Sequence, residues 1–265
     1  MKREPDFNAF PAATFEDWAA LAEKSLDGRT VSDALTSRTR DDLTIPPVLA
    51  ANSGDTHVAR QFPDRPWRIT VRVDDPSGHA AAEQAVNDLE GGADALALVL
   101  PSAATADGFG ICATDLELLD GALAGVDLSL VQVRLEPTWD AAQDAALMQA
   151  LITSRAHAAA DVDITFGFDP VGSLARAGAI PANWADVSEH LSADVTQLKK
   201  SGFEGPFAVA DGRLVHAAGG TPAQELAFAL ATATTYLRAL SDRNSSLDDA
   251  DAEISRSLPT DQCQP

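Results

Sequence analysis

Cysteine is nearly missing from this chain: Cys112 and Cys263 are the two in 265 residues. Two distant thiols build neither a disulfide framework nor a cysteine-based zinc site, and the usage suits a reducing cytoplasm. Long apolar runs are missing as well. No stretch of about 20 apolar residues occurs, so no helical membrane span is expected. The opening Met1-Lys-Arg-Glu-Pro-Asp-Phe7 has no apolar stretch behind its charges and does not read as a secretory signal. Basic charge is scarce, with 19 Lys and Arg against 40 Asp and Glu, a formal net charge of −21. Lys occurs only at positions 2, 24, 199 and 200. Such a field repels nucleic acid and anionic lipid, which argues against both as partners, and its first meaning is a solubilising surface.

Hydrophobic residues make up 45% of the chain, enough for one large core. Residues 1–65 read as an extended arm for subunit contacts. Phe15 to Leu26 carries Phe15, Trp18, Ala19, Ala22 and Leu26 on one helical stripe, with Thr14 as cap. The polar, proline-ended stretch 35–47 that follows is not expected to pack alone. From Arg65 onward, short apolar runs alternate with longer helical patterns. Strands are expected at 67–73, 95–100, 128–135, 162–168 and 207–210. Helices are expected at 78–89, 115–123, 139–157, 184–200 and 223–240. Asp169-Pro-Val-Gly-Ser173 reads as a loop and the stretch after Leu240 as a polar linker. Ile254 to Leu258 is a doubtful sixth strand. Repeated βα order implies a parallel sheet with right-handed crossovers, which by itself fits a barrel or an open doubly wound sheet.

Several constellations invite a chemical reading. Asp161, Asp163 and Asp169 flank the fourth strand and could bind a divalent cation, although no second cluster or phosphate loop joins them. Asp74 and Asp75 before Pro76 could be a general-acid pair or simply a turn. No Gly-x-Ser-x-Gly elbow occurs, and the glycine loops 108–110 and 167–172 match no nucleotide fingerprint. Arg72, Arg134 and Arg213 fall at or just after expected strand ends, the functional face of a βα fold. They could meet a phosphate or a carboxylate, or pair with the abundant acids.

The most informative block is Asp211-Gly-Arg-Leu-Val-His-Ala-Ala-Gly-Gly-Thr-Pro-Ala-Gln-Glu-Leu-Ala-Phe228. It reads as a strand end, a glycine loop and a helix. Thr221 would cap that helix, Pro222 takes its first position, and Glu225 adds charge to its first turn. Leu226, Leu230, Ala233 and Leu237 recur at helical spacing. This block resembles a signature of the cobalamin-dependent methylmalonyl-CoA mutase family, Ser-Gly-Tyr-His-Met-Gln-Glu-Ala-Gly-Ala-Thr in catalytic chains. Arg65-Pro-Trp67 resembles that family's first barrel strand, where Arg-Pro-Trp precedes Arg-Gln-Tyr-Ala-Gly. Leu89 to Leu98 resembles its glycine turn and second strand, and Glu253 to Leu258 falls where a sixth strand would begin.

The resemblance implies a parallel (β/α) TIM-type barrel over residues 66–265, incomplete at the C-terminus, behind the N-terminal arm. In the family an acyl-CoA threads the barrel and adenosylcobalamin supplies radical chemistry. Here the catalytic residues are replaced. The strand Tyr falls on Arg72, the Tyr-His pair falls on Arg213 and Leu214, and His216 stands two residues on. The single Tyr, Tyr236, lies within an expected helix. The closest match to the cobalamin-binding Asp-x-His-x-x-Gly is Asp55-Thr-His57-Val-Ala-Arg60, which lacks the glycine. The resemblance therefore implies a non-catalytic small subunit, paired as a heterodimer with a catalytic mutase chain and binding no cofactor itself. Acyl-CoA remains a ligand it could meet, against an unfavourable surface charge. Two other readings stay open: a cobalamin-independent α/β enzyme using Asp169, Arg213 and His216, and a non-functional truncated fragment.

Overall fold

The structure is a computed structural model, and it describes residues 13–49, 67–178, 183–241 and 247–257. The chain divides into two units, Met1–Arg65 and Pro66–Pro265. In the first, helix α1 spans Phe15–Glu23 and begins with a reciprocal cap, in which Thr14 and Asp17 satisfy each other's backbone N–H. A short helix α2 (Val31–Leu35) follows, then an antiparallel pair, β1 (Ser37–Arg38) and β2 (Thr44–Ile45). The turn between these strands places Asp42 at positive φ and joins it to Arg38. The sequence suggested no pairing in this polar stretch. Asp55–Arg60, the stretch compared with the cobalamin-binding motif, lies outside the described residues.

The second unit alternates strand and helix: β3 (Thr70–Val73), α3 (Gly78–Glu90), β4 (Ala95–Leu98), α4 (Leu116–Ala122), β5 (Gln132–Leu135), α5 (Ala141–Ser154) and β6 (Ile164–Thr165). These four strands form one parallel sheet in chain order. Then come α6 (Pro170–Ala177), α7 (Trp184–Lys200), β7 (Ala208–Asp211), α8 (Arg213–Ala217), α9 (Pro222–Ser241), α10 (Leu247–Ala252) and β8 (Ile254–Ser257). β7 and β8 pair in parallel, and a parallel bridge from Phe168 to Ala208 carries the pairing across from the β6 segment. The doubtful sixth strand is therefore a real one. Six parallel strands follow one another without the reversal of order that a doubly wound sheet contains. No closed sheet forms among the described residues.

Register assigns the two faces. Val73, Leu96, Leu98, Val133, Leu135 and Ile164 project toward the helices, where they join Ala81, Ala85, Leu119, Leu123, Met148 and Leu151 in one core. The opposite face carries smaller or polar groups, with Arg72, Ala97, Arg134 and Thr165 in one row. β4 is buried at all four positions, as expected of a strand covered on both faces.

Three segments expected as loop or linker are helical. Asp169 caps α6 with Pro170 at its first position, α8 occupies Arg213–Ala217, and α10 lies inside the polar stretch after Leu240. α8 and α10 are too short to print a helical period, while α6 is marked by its Asp169 cap and Pro170, which read equally well as a turn. A further correction concerns α9. Its core-facing residues are Ala229, Thr232, Ala233, Tyr236 and Leu240, while Leu226 and Leu230 of the expected stripe are exposed.

Candidate functional site

The C-terminal ends of the strands converge on a continuous polar network built around Arg213. β7 ends at Asp211, and Gly212 turns the chain so that α8 begins at Arg213. The Arg213 guanidinium then folds back onto Asp211, with Nε 2.9 Å from Oδ1 and an Nη 2.6 Å from Oδ2. It also reaches Glu136, just past β5, at 2.8 Å. Both carboxylates are almost fully buried, at 5% and 6% exposure. Burial works against the charge of Arg213, but the hydrogen bonds and charges of Asp211 and Glu136 outweigh it and raise its pKa. One cation thus serves two buried acids.

The network continues in both directions. Glu136 accepts from the Thr105 hydroxyl at 3.1 Å, and Arg72 donates to the Thr105 carbonyl at 2.7 Å and to Asp74 at 2.7 Å. On the other side, buried Asp169 follows the bridge residue Phe168. Its Oδ1 accepts from the Tyr236 hydroxyl and from the Gly172 N–H, and Tyr236 accepts from the Val171 N–H at 2.9 Å. Burial, helped by the nearby Asp211 charge, pushes Asp169 up to about 6 despite those hydrogen bonds. Burial, together with the Asp169 charge, also raises Tyr236 well above its ordinary value.

Asp169 therefore favours folding more in acid than in base. Between the ordinary value of 3.8 and about 6 the native state holds a proton that the unfolded state lacks, so this group's contribution falls as pH rises through that window. Its size is on the order of 3 kcal/mol. Asp169→Asn keeps an oxygen for Tyr236 and Gly172 and abolishes the titration. We expect the variant to be more stable than the parent at pH 8 by about 1–3 kcal/mol, with the gap closing toward pH 4. Urea unfolding at both pH values measures it, and a pH-independent difference would assign the effect to packing instead.

The five residues singled out from sequence are distributed as follows. Arg213, Asp169 and Arg72 meet in the network just described. Arg134 is the next-to-last residue of β5, half-buried, in the row with Arg72, Ala97 and Thr165. His216 stands in α8 with Nδ1 2.7 Å from the buried Glu225 of α9. Thr221 caps α9 by exchanging hydrogen bonds with Gln224. Glu136, Thr105 and Tyr236 were not singled out, and no local pattern marks them.

The other constellations resolve into structure. Asp163 accepts from Arg68 and Gln132 at the opposite end of the strands from Asp169, and Asp161 lies in a short 3-10 turn. Asp75 accepts from the Ser77 N–H, an ordinary turn contact, while Asp74 pairs with Arg72. Among the described residues, no group of three or more His, Cys, Asp or Glu is placed to hold a metal ion. No described buried side-chain polar atom lacks a hydrogen-bond partner. No described helix is long and apolar enough to cross a membrane. Cys112 is a free, exposed thiol, and Cys263 lies outside the described residues. Chemically, the strand ends form a saturated ion-pair cluster whose main cation is already shared between two acids.

Comparison with known proteins gives this geometry a family. The methylmalonyl-CoA mutase family model matches residues 58–258. The chain is 32% identical to the methylmalonyl-CoA mutase small subunit of Streptomyces virginiae, over 92% of its own length and 41% of the relative's. It is 27% identical to the small subunit of Propionibacterium freudenreichii subsp. shermanii, over 87% of its own length and 38% of the relative's. It thus spans about two fifths of the length of these curated relatives. With a family match across most of its residues, and with strands following one another in parallel, this chain belongs to the methylmalonyl-CoA mutase family.

Proposed function

We propose that this chain is a non-catalytic component, of the small-subunit type, in a methylmalonyl-CoA-mutase-like isomerase. The complex would interconvert methylmalonyl-CoA and succinyl-CoA in the cytoplasm, with the catalytic groups in a partner chain. The observation that carries this reading is the Arg213 clasp. In place of the family's Tyr-His pair the chain has Arg213 and Leu214, and the guanidinium is spent on Glu136 and Asp211. A clasp of this kind holds β5 to β7 and leaves little positive charge for a substrate carboxylate or a CoA phosphate. The six consecutive strands support residues 66–265 as the opening part of a (β/α)8 barrel, whose remaining strands would complete the sheet.

Adenosylcobalamin, when bound in this family, supplies the radical chemistry. The described residues of this chain do not fit it. None of the described histidines, His79, His157, His190 and His216, stands in an Asp-x-His-x-x-Gly sequence. His57 lies outside the described residues. The cofactor is therefore assigned to the partner.

Assembly has a candidate surface. The outward side of α9 carries Ala223, Leu226, Ala227, Leu230, Ala231 and Thr234, all exposed, and no charge occurs from Leu226 to Leu237. On a chain of net charge −21, an uncharged helical face is a place for protein contact rather than for water. The arm of residues 1–65 would add further contacts. Co-expression with a complete methylmalonyl-CoA mutase chain should give a complex that co-elutes in size-exclusion chromatography. Leu226→Glu with Leu230→Glu should weaken it by about 100-fold, since two charges would enter an apolar contact. The reading fails if the chains never associate at tens of micromolar, or if this chain alone isomerises methylmalonyl-CoA.

A further inference from the structure

Beside the strand-end network, and independent of the reading just given, lies a cavity of about 360 Å3 between the start of α5, α6 and α7. Thr138, Phe168 and Asp169 line it together with residues of those helices. Its deep wall is Phe168, Leu191 and the buried carboxyl of Asp169, and its rim holds Trp139, His190 and Asp194. The volume is at the small end of ligand pockets, which run from about 300 to 1,000 Å3. Most of the lining is apolar, and the polar groups that interrupt it share one character.

That character, the Trp139 indole N–H aside, is hydrogen-bond acceptance, since Thr138 and Ser173 already give their hydroxyl protons to Asp144 and to the Thr138 carbonyl. Asp169 and Asp194 present carboxylates on two elements. His190 sets its Nδ1 2.8 Å from the Asp186 carbonyl oxygen, which only accepts, so Nδ1 carries the proton and Nε2 is left as an acceptor. No lysine or arginine lines the cavity. Trp139 adds an aromatic face, about half-exposed at the rim, of the kind that attracts a cation. An anionic ligand would meet two carboxylates here, and a purely apolar one would cover Asp194 without offering its charge a partner.

We infer that this cavity binds a small organic ammonium: an apolar body against Phe168, Leu191 and Trp139, and a primary ammonium head directed to Asp169 and Asp194. The body buries hydrophobic surface, while the head replaces water on the partly exposed Asp194 and sets its charge against Asp169, adding to the hydrogen bonds that Asp169 already accepts from Tyr236 and Gly172. The strand-end network does not compete for this ligand, because Arg213 already neutralises Glu136 and Asp211.

The test is calorimetric titration of the full chain with 2-phenylethylammonium and cyclohexylmethylammonium, against 2-phenylethanol as the neutral analogue and 3-phenylpropanoate as the anion. We expect saturable binding of an ammonium at least about tenfold tighter than the alcohol, and none of the anion. Asp194→Asn, a change at the partly exposed rim, should weaken the ammonium by about fivefold or more while sparing the alcohol. Ala142→Trp, at an exposed lining position, should fill the cavity and abolish binding of both. Circular dichroism melting of both variants confirms that the fold is retained. Equal affinity for ammonium and alcohol overturns the assigned class. Ammonium binding that survives Ala142→Trp overturns the assigned site, and failure of both ammonium compounds to bind at about 10 mM overturns the proposal as a whole.

Discussion

Arg213→Leu should destabilise the chain by about 2–4 kcal/mol, somewhat less than the 3–5 kcal/mol typical of breaking a fully buried pair. The reduction reflects exposure, since a third of the Arg213 side chain faces solvent while Glu136 and Asp211 do not. Leucine replaces the apolar stem but strands two acids that are almost closed to solvent. Pairing it with Glu136→Gln and Asp211→Asn should recover most of the loss, because the cost lies in the uncompensated charges rather than in the missing contact. Urea unfolding of the single and triple variants measures this. If the triple variant remains as unstable as the single one, the guanidinium acts through packing and the clasp is not electrostatic. The same result would weaken the functional reading, since a dispensable clasp would leave Arg213 available to an anion.

Gly167→Ala is the second change expected to have a large effect. Gly167 sits between Phe166 and Phe168 with φ +70°, a conformation that costs an L-residue about 1–2 kcal/mol. A Cβ there would also run into the Leu135 carbonyl oxygen on β5, a backbone atom with nowhere to go. We expect a loss of about 3 kcal/mol or more, from the strain and the forced separation of β5 from the β6 segment. Gly178→Ala is the matched control. Its φ is +67°, but nothing stands within 4 Å of the added carbon, so only the conformational cost of about 1 kcal/mol should appear. Thermal melting of the two variants separates clash from strain, and equal shifts would contradict the close approach at Gly167.

Much of the fold is legible because its signals are local. Thr14, Asp115, Asn183 and Thr221 each cap the helix they precede, and a cap needs only the next three residues. The continuous apolar run at 95–100 announces a covered strand for the same reason. Helix α9 is different. It is apolar over most of its circumference, so the spacing of its leucines cannot choose a face, and the sheet took the side with Ala229, Ala233 and Tyr236. The site was legible only in part. Arg213, Asp169 and Arg72 could be placed near strand ends, but Glu136 lies 77 residues from Arg213 and Tyr236 lies 67 from Asp169. Those pairings come from sheet order, which periodicity does not encode.

The chain-order succession of strands also bears on how this protein is made. Each strand of the second unit pairs with the one synthesised just before it, from β3 through to β8. No pairing has to wait for a distant segment, so each step closes a short loop at modest entropic cost. As the chain leaves the ribosome, every new strand meets a sheet whose edge is already formed and whose helix has begun to cover it. Among the described residues of this unit, the growing edge is always the most recent strand. Assembly can therefore run as vectorial addition, with Phe168 docking on the segment before Ala208 as the step that joins the first four strands to the last two.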